Sequence, residues 1–283
     1  MDITLSLVRK LIAEQFPKWI NLPINPVEIS GIDNRMFRLG DDMVIRLPSA
    51  QCYALQVLKE QKYLPQIASH LSTIIPEPIA MGKPSANYPW NWSIYRWING
   101  NTANIHISDE LALELAMFLN ELHNVDINDK DLLPAGHNFY RGTHISIYTK
   151  ETEAAIDALR DFIDAKRVAM IWKNAISSRW DMDPVLVHGD MARGNIIVKN
   201  RSLAAIIDFG CMGIGDPACD LVIAWTLLKG ESRRVFQEKI NLDNDTWLRA
   251  RGWALWKALI TLVELEDRNS IKAMEQYSII DSL

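Results

Sequence analysis

Val187-His188-Gly189-Asp190-Met191-Ala192-Arg193-Gly194-Asn195, followed by Ile206-Ile207-Asp208-Phe209-Gly210, is the stretch on which the reading of this chain turns. It spells H-G-D-x-x-x-x-N, then twelve intervening residues, then D-F-G. The apolar runs Pro184-Val185-Leu186-Val187, Ile196-Ile197-Val198 and Leu203-Ala204-Ala205-Ile206-Ile207 read as short strands. The polar residues between them then fall on loops at strand ends, where a rigid scaffold holds reactive groups. Phosphoryl transfer needs that set: one carboxylate to orient and deprotonate a hydroxyl, and an amide plus a second carboxylate to hold Mg²⁺ on phosphates. Asp190 suits the first role, and Asn195 and Asp208 the second, because Mg²⁺ prefers oxygen ligands. Each tripeptide alone is weak evidence. Both in this order and at this separation are strong.

These motifs resemble those of the aminoglycoside phosphotransferase and choline kinase group, which shares the bilobal fold of protein kinases. That group carries H-G-D where protein kinases carry H-R-D, and Gly189 makes the distinction. The resemblance continues into Gly213-Ile214-Gly215-Asp216-Pro217-Ala218-Cys219-Asp220-Leu221, similar to the group's G-D-P-x-x-D-L stretch. It implies that Asp220 buttresses the catalytic loop and does no chemistry. It covers the chain from about Ile29 to near Glu264.

The resemblance implies an α+β, protein-kinase-like fold: a small strand-rich N-terminal lobe over residues 1–98 that holds the nucleotide, and a larger, mostly helical C-terminal lobe over 99–283 with catalytic loop, metal site and acceptor cleft. A kinase-like site also needs a cation on the nucleotide phosphates, steadied by a helix carboxylate. Here the matching strand reads Val44-Ile45-Arg46-Leu47-Pro48, so Arg46 replaces the usual Lys. Arg stays charged and grips phosphate oxygens bidentately. Glu60 on the following helix is its expected partner. The turn Ser30-Gly31-Ile32-Asp33-Asn34 lacks the glycines of a G-x-G-x-x-G loop, so Ser30 and Gly31 are only weak candidates for covering phosphate. In the linker Tyr95-Arg96-Trp97-Ile98, the resemblance points to the main chain of Arg96 and Ile98 for the base, flanked by Tyr95. A bulky Tyr there goes with GTP rather than ATP.

The implied function is Mg²⁺-dependent transfer of the γ-phosphate of ATP or GTP to an alcohol group of a small hydroxyl-bearing substrate, foremost an aminoglycoside or macrolide antibiotic. The alternatives are a metabolic kinase for choline, a sugar or homoserine, and a non-catalytic nucleotide-binding scaffold. Intact Asp190, Asn195 and Asp208 argue against the scaffold. A protein kinase is the weaker reading, because no long activation segment and no A-P-E follow Asp208-Phe209-Gly210.

Composition agrees with this class. The 283 residues are 48% apolar and 23% charged, with a net charge of −5. The longest basic stretch, Ser232-Arg233-Arg234, gives no reason to expect nucleic acid. No apolar run suggests a membrane span, the first ten residues lack a signal-peptide pattern, and Cys52, Cys211 and Cys219 lack metal-site spacing. A cytoplasmic protein without a membrane partner is the simplest expectation; oligomeric state stays open.

Elsewhere, periodicity predicts an N-terminal helix on Leu5, Val8, Leu11, Ile12 and Phe16. Strands follow near 27–29, 35–39, 43–47, 79–81 and 92–97, with helices near 50–70, 109–123, 151–179, 218–229 and 246–264. Ser108 is the expected N-cap of the 109–123 helix. Trp253 and Trp256 on one helix face read as core rather than a cage for a quaternary ammonium group, and His123 and His188 read as structural. Arg193, inside the loop, is expected either to offset charge on the transferred group or to pair with Asp220 or Asp208. A polycationic acceptor would call for carboxylates, for which Glu264, Glu266 and Asp267, or Glu153 and Asp157, are candidates; solvated helix faces carry such groups routinely.

Overall fold

The structure is a computed structural model that describes residues 2–27, 33–103, 107–127 and 129–283. Helix α1 (Leu5–Gln15) begins where the Thr4 hydroxyl accepts the Leu7 N–H, an N-cap that satisfies one orphan donor. Strands β1 (Ile24–Pro26), β2 (Asn34–Leu39) and β3 (Met43–Pro48) follow, then helix α2 (Gln51–Ala68) and strands β4 (Pro78–Gly82) and β5 (Trp92–Arg96). They form an antiparallel five-stranded sheet in the order β1-β2-β3-β5-β4. Gly40, at φ +60°, turns the β2–β3 hairpin. The expected strand at 27–29 begins earlier, at Ile24, and its residues 28 and 29 lie outside the described residues, as do Ser30 and Gly31.

Alternation along β3 decides what faces the cleft. Ile45 and Leu47 join a core with Val8, Leu11 and Ile12 of α1 and with Trp92 and Ile94. Val44 belongs to the other, larger core, so β3 turns successive side chains to opposite faces and sends Arg46 to the side of α2.

Beyond β5 come β6 (Asn101–Thr102), α3 (Asp109–His123), α4 (Thr149–Ala158), α5 (Ala165–Ala175), β7 (Val185–Val187), β8 (Ile196–Lys199), β9 (Ser202–Ile206) and β10 (Gly213–Gly215). Helices α6 (Ile223–Thr226), α7 (Gly230–Lys239), α8 (Asn244–Glu264) and α9 (Ile271–Asp281) complete the chain. Ser108 caps α3 as expected, accepting the Leu111 N–H at 3.2 Å. The single helix predicted over 151–179 is two, because the Asp164 carboxylate accepts the Arg167 N–H and starts a new one. The predicted 218–229 helix opens as a 3₁₀ turn over Pro217–Val222 and becomes α-helical only at α6. Asp216 caps that turn through the Ala218 N–H.

The larger core combines α3, α5, α8 and the buried segment 218–228 with Tyr63, Leu64 and Ile67 of α2. Trp253 and Trp256 lie in it, 2% and 6% exposed, so the core reading of these two rings holds. Tyr148 stacks on Trp256 at 4.0 Å, and the Trp256 Nε1–H donates to Glu151. No helix among the described residues is long and apolar enough to cross a membrane.

Candidate active site

The loop after β7 is shaped from a distance. Gly189 has φ +80°, and a Cβ there would meet the Cys211 carbonyl oxygen at 2.4 Å, so both conformation and space require glycine. The fully buried Asp220 carboxylate accepts the N–H of His188 at 2.9 Å and of Gly189 at 2.7 Å, and lies 3.1 Å from His123 Nε2. His188 Nδ1 in turn accepts the Asp190 N–H at 3.2 Å, Nε2 lies 3.1 Å from the Ile207 carbonyl, and the ring packs edge-on against Phe209. Asp220, His188 and His123 therefore hold the loop, as their sequence context implied.

Asp190 leaves this frame with its carboxylate between two side chains. Asn195 donates Nδ2–H to the Asp190 carbonyl at 2.9 Å and to its Oδ2 at 3.2 Å. Lys257 of α8 donates from Nζ to Oδ1 at 3.1 Å. Burial pushes the Asp190 carboxyl upward, but the Lys257 ammonium, with the His188 ring and the Arg141 guanidinium, outweighs it and holds the group below its ordinary range. The carboxylate is thus kept ionised and able to accept a proton.

Across from it, Arg46 Nη1 sits 3.1 Å from Glu60 Oε1, as expected, and its Nη2 sits 2.6 Å from Asp208 Oδ1. Between these carboxylates the guanidinium stays charged well beyond its ordinary range, although burial opposes it. Tyr95, 2% exposed, donates its hydroxyl proton to Glu60 Oε2 at 2.7 Å. Asp208 itself has φ +66°, a strained conformation for a non-glycine residue that Asp tolerates better than most. Nearby, burial and the Asp208 charge raise the Asp33 carboxyl, with Asp190 adding to the effect against a hydrogen bond from Tyr53. Asp33 therefore feels the charges of Asp208 and Asp190, although Arg46 and Lys257 balance these two in part.

Arg46, Glu60, Asp190, Asn195 and Asp208 converge. The linker is more selective: the Arg96 N–H is taken by the Glu77 carbonyl at 2.9 Å and the Trp97 N–H by Asp42 at 2.7 Å. The Arg96 side chain turns outward to Glu77. Arg96 can thus offer a base its carbonyl but not its N–H. Arg193 pairs with neither Asp208, held by Arg46, nor Asp220, held by the loop; it lines a cavity of about 450 Å³ with Lys257, Lys229, Arg233 and, as the one carboxylate among the described residues, Glu275. The acidic candidates are elsewhere. Glu264, Glu266 and Asp267 are exposed at and beyond the end of α8, and Glu153 and Asp157 are exposed on α4, where Asp157 pairs with Arg160.

Lys257 and Asp33 were missed by sequence reasoning. Lys257 had a signal: it is a lone cation in the apolar run Ala254-Leu255-Trp256-Lys257-Ala258-Leu259-Ile260. Asp33 had none.

A sheet-rich lobe and a helical lobe meeting over this cluster define a kinase-like fold. The chain belongs to the phosphotransferase enzyme family APH, whose model matches residues 24–253. Aminoglycoside 3'-phosphotransferases of Salmonella typhimurium and Escherichia coli are 30% and 31% identical over 139 and 140 residues, each match covering 46% of this chain and 49% of the relative. The chain thus spans about half the length of the curated relatives it matches. Similar solved structures include APH(2")-IIia with GDP and kanamycin, at TM-score 0.73 and 21% identity over 97% of both chains. Macrolide 2'-phosphotransferase MphH from Brachybacterium faecium has TM-score 0.65 and 18% identity over 99% of this chain and 98% of its own. These two share the fold.

Proposed function

We propose that this chain moves the γ-phosphate of a nucleoside triphosphate to a hydroxyl of a small molecule, with antibiotics of the aminoglycoside and macrolide kinds as the first acceptors to test. The observation that carries the reading is the meeting of an ionised, proton-accepting Asp190 with Asn195, Asp208 and the Arg46–Glu60 pair. In this reading Asp190 accepts the acceptor's hydroxyl proton as its oxygen bonds to the γ-phosphorus. The bond from the γ-phosphorus to the bridging oxygen breaks, and the nucleoside diphosphate leaves with that oxygen. Arg46, steadied by Glu60, binds phosphate oxygens. The nucleotide lies under residues 1–98, with the Arg96 carbonyl and the Ile98 N–H at the base edge, and residues 99–283 bring the acceptor. Ser30 and Gly31 remain candidates for the phosphates from the first lobe. A cytoplasmic setting would supply the nucleotide.

Asn195 and Asp208 fit Mg²⁺. The Asn195 amide nitrogen is committed to Asp190, which leaves its oxygen for a cation, and the repulsion felt at Asp33 is what a divalent ion relieves. Mg²⁺ supplies charge neutralisation on the β- and γ-phosphates. Among the described residues no three His, Cys, Asp or Glu groups form a metal cage, so its other ligands would be phosphate and water oxygens.

The test is nucleotide consumption by the purified protein across aminoglycosides, macrolides, choline and sugars. Acceptor-dependent turnover supports the reading; no turnover above the acceptor-free rate overturns it. Two finer outcomes follow. If Tyr95 flanks the base as the resemblance implies, GTP should outcompete ATP for one labelled nucleotide, and a clear preference for ATP removes that role. Lys257→Met should move the acid limb of kcat/KM to higher pH. Activity that needs ionised Asp190 persists above its pKa, and removing the ammonium raises that pKa. An unmoved limb would separate Lys257 from the base.

A further inference from the structure

The cavity that opens beside Asp190 has the wrong sign for a polycation. The chain as a whole carries −5, yet this cavity is lined by Arg193, Lys229, Arg233 and Lys257 against one carboxylate among the described residues, Glu275. Of the four cations, Lys257 is balanced by Asp190. Arg233 spends its guanidinium on the carbonyls of Leu228 and Ser282 and the Ser282 hydroxyl, and no carboxylate pairs with it among the described residues. Burial first, and the neighbouring Arg251 second, push the Arg233 pKa down. The side chains of Arg193 and Lys229 have no ion-pair partner among the described residues.

Other groups extend the same field. Arg141, within reach of the Asp190 charge, lies 5.0 Å from both the Trp253 and Trp256 rings, and its buried Nη1 has no hydrogen-bond partner among the described residues. Apolar walls from Trp225, Leu227 and Ile279 face the cations, and such low-dielectric walls focus their field. A molecule with several ammonium groups would be repelled from the space next to the proton acceptor. One with a carboxylate or phosphate would be drawn in and turned so that its hydroxyl faces Asp190.

Building on the phosphotransfer reading, we propose that the acceptor carries an anionic group, held by Arg193 and Lys229 in this cavity while its hydroxyl meets Asp190. The acceptor class is then a hydroxy acid or an already phosphorylated alcohol.

Binding to the full chain, saturated with a non-hydrolysable nucleotide and Mg²⁺, tests this by calorimetric titration. The anionic probes are D-gluconate and glycerol 3-phosphate, their neutral counterparts glucitol and glycerol, and the polycation kanamycin. At least one anion is expected to bind more tightly than its neutral counterpart and than kanamycin. Its affinity should fall about tenfold or more in Arg193→Gln/Lys229→Gln, the size of one charge-assisted hydrogen bond, and should weaken with added salt. Nucleotide affinity, measured on the same variant, should be unchanged and so reports an intact fold; Arg193→Lys should restore part of the anion affinity. Tighter binding of kanamycin, no anion binding, or equal affinity in wild type and double variant overturns the proposal. Failure of the phosphotransfer reading shows separately, as no acceptor-dependent turnover despite anion binding.

Discussion

Asp190→Asn is expected to lower acceptor-dependent turnover by about 10²–10⁴, the usual contribution of a positioned acid–base group. The amide keeps the shape, and its oxygen still accepts from Asn195 or Lys257, so nucleotide affinity should stay near that of the unaltered protein. What it removes is the ability to take the hydroxyl proton. Asp208→Asn should behave differently. Asp208 faces Arg46 and the proposed cation site, so losing its charge should weaken Mg²⁺-nucleotide binding together with turnover. Single-turnover rates and nucleotide titrations on the two variants separate these outcomes. Full activity in Asp190→Asn towards an identified acceptor would remove the proposed base.

Arg249→Met is expected to cost about 3–5 kcal/mol of folding stability, the range for stripping one partner from a buried ion pair. Arg249 Nε lies 2.7 Å from Asp216 Oδ2, with the side chains 1% and 4% exposed, and its other nitrogens reach Ser178 and Thr246. Methionine of similar length removes the charge and leaves the Asp216 carboxylate buried without its cation. Burial already raises the Asp216 carboxyl above its ordinary range despite Arg249. A raised folded pKa means stability is lost as pH rises through it, and removing Arg249 raises that pKa further. The deficit of Arg249→Met should therefore shrink at acid pH. Adding Asp216→Asn, which keeps the cap on the Ala218 N–H, should recover part of the loss at neutral pH. Denaturant unfolding of the single and double variants reads both effects, and equal stability of Arg249→Met and the unaltered protein would refute the pair's importance.

What was legible in the chain was what local pattern carries. The H-G-D and D-F-G loops stand between short apolar runs, and those runs are β7, β8 and β9. The Arg46–Glu60 pair was reachable because strand alternation and a kinase-like template point both residues into one cleft. The break between α4 and α5 was not legible, because helical periodicity continues across it and only Asp164 marks the restart. Helix α7 reads Gly-Glu-Ser-Arg-Arg-Val-Phe-Gln-Glu-Lys, with only Val235 and Phe236 apolar, and α3 holds it in place rather than propensity. Lys257 stood out as a cation in an apolar run, but its pairing with Asp190 was out of reach for a different reason. Its partner lies 67 residues away, and nothing local says which of the cations on a helix will meet a particular carboxylate.

The two cores also set an order for events on the ribosome. The residues of the α1–sheet core run from Ile3 to Ile94, so that core closes on chain already made when the rest is still to come. The larger core reaches from Val44 to Ile280, and the inner face of α2, which packs against residues 136–138 and 209–211, waits for chain made well after it. Until then Tyr63, Leu64 and Ile67 are an open apolar stripe on a nascent chain, the kind of surface that chaperones hold and that aggregates when they do not.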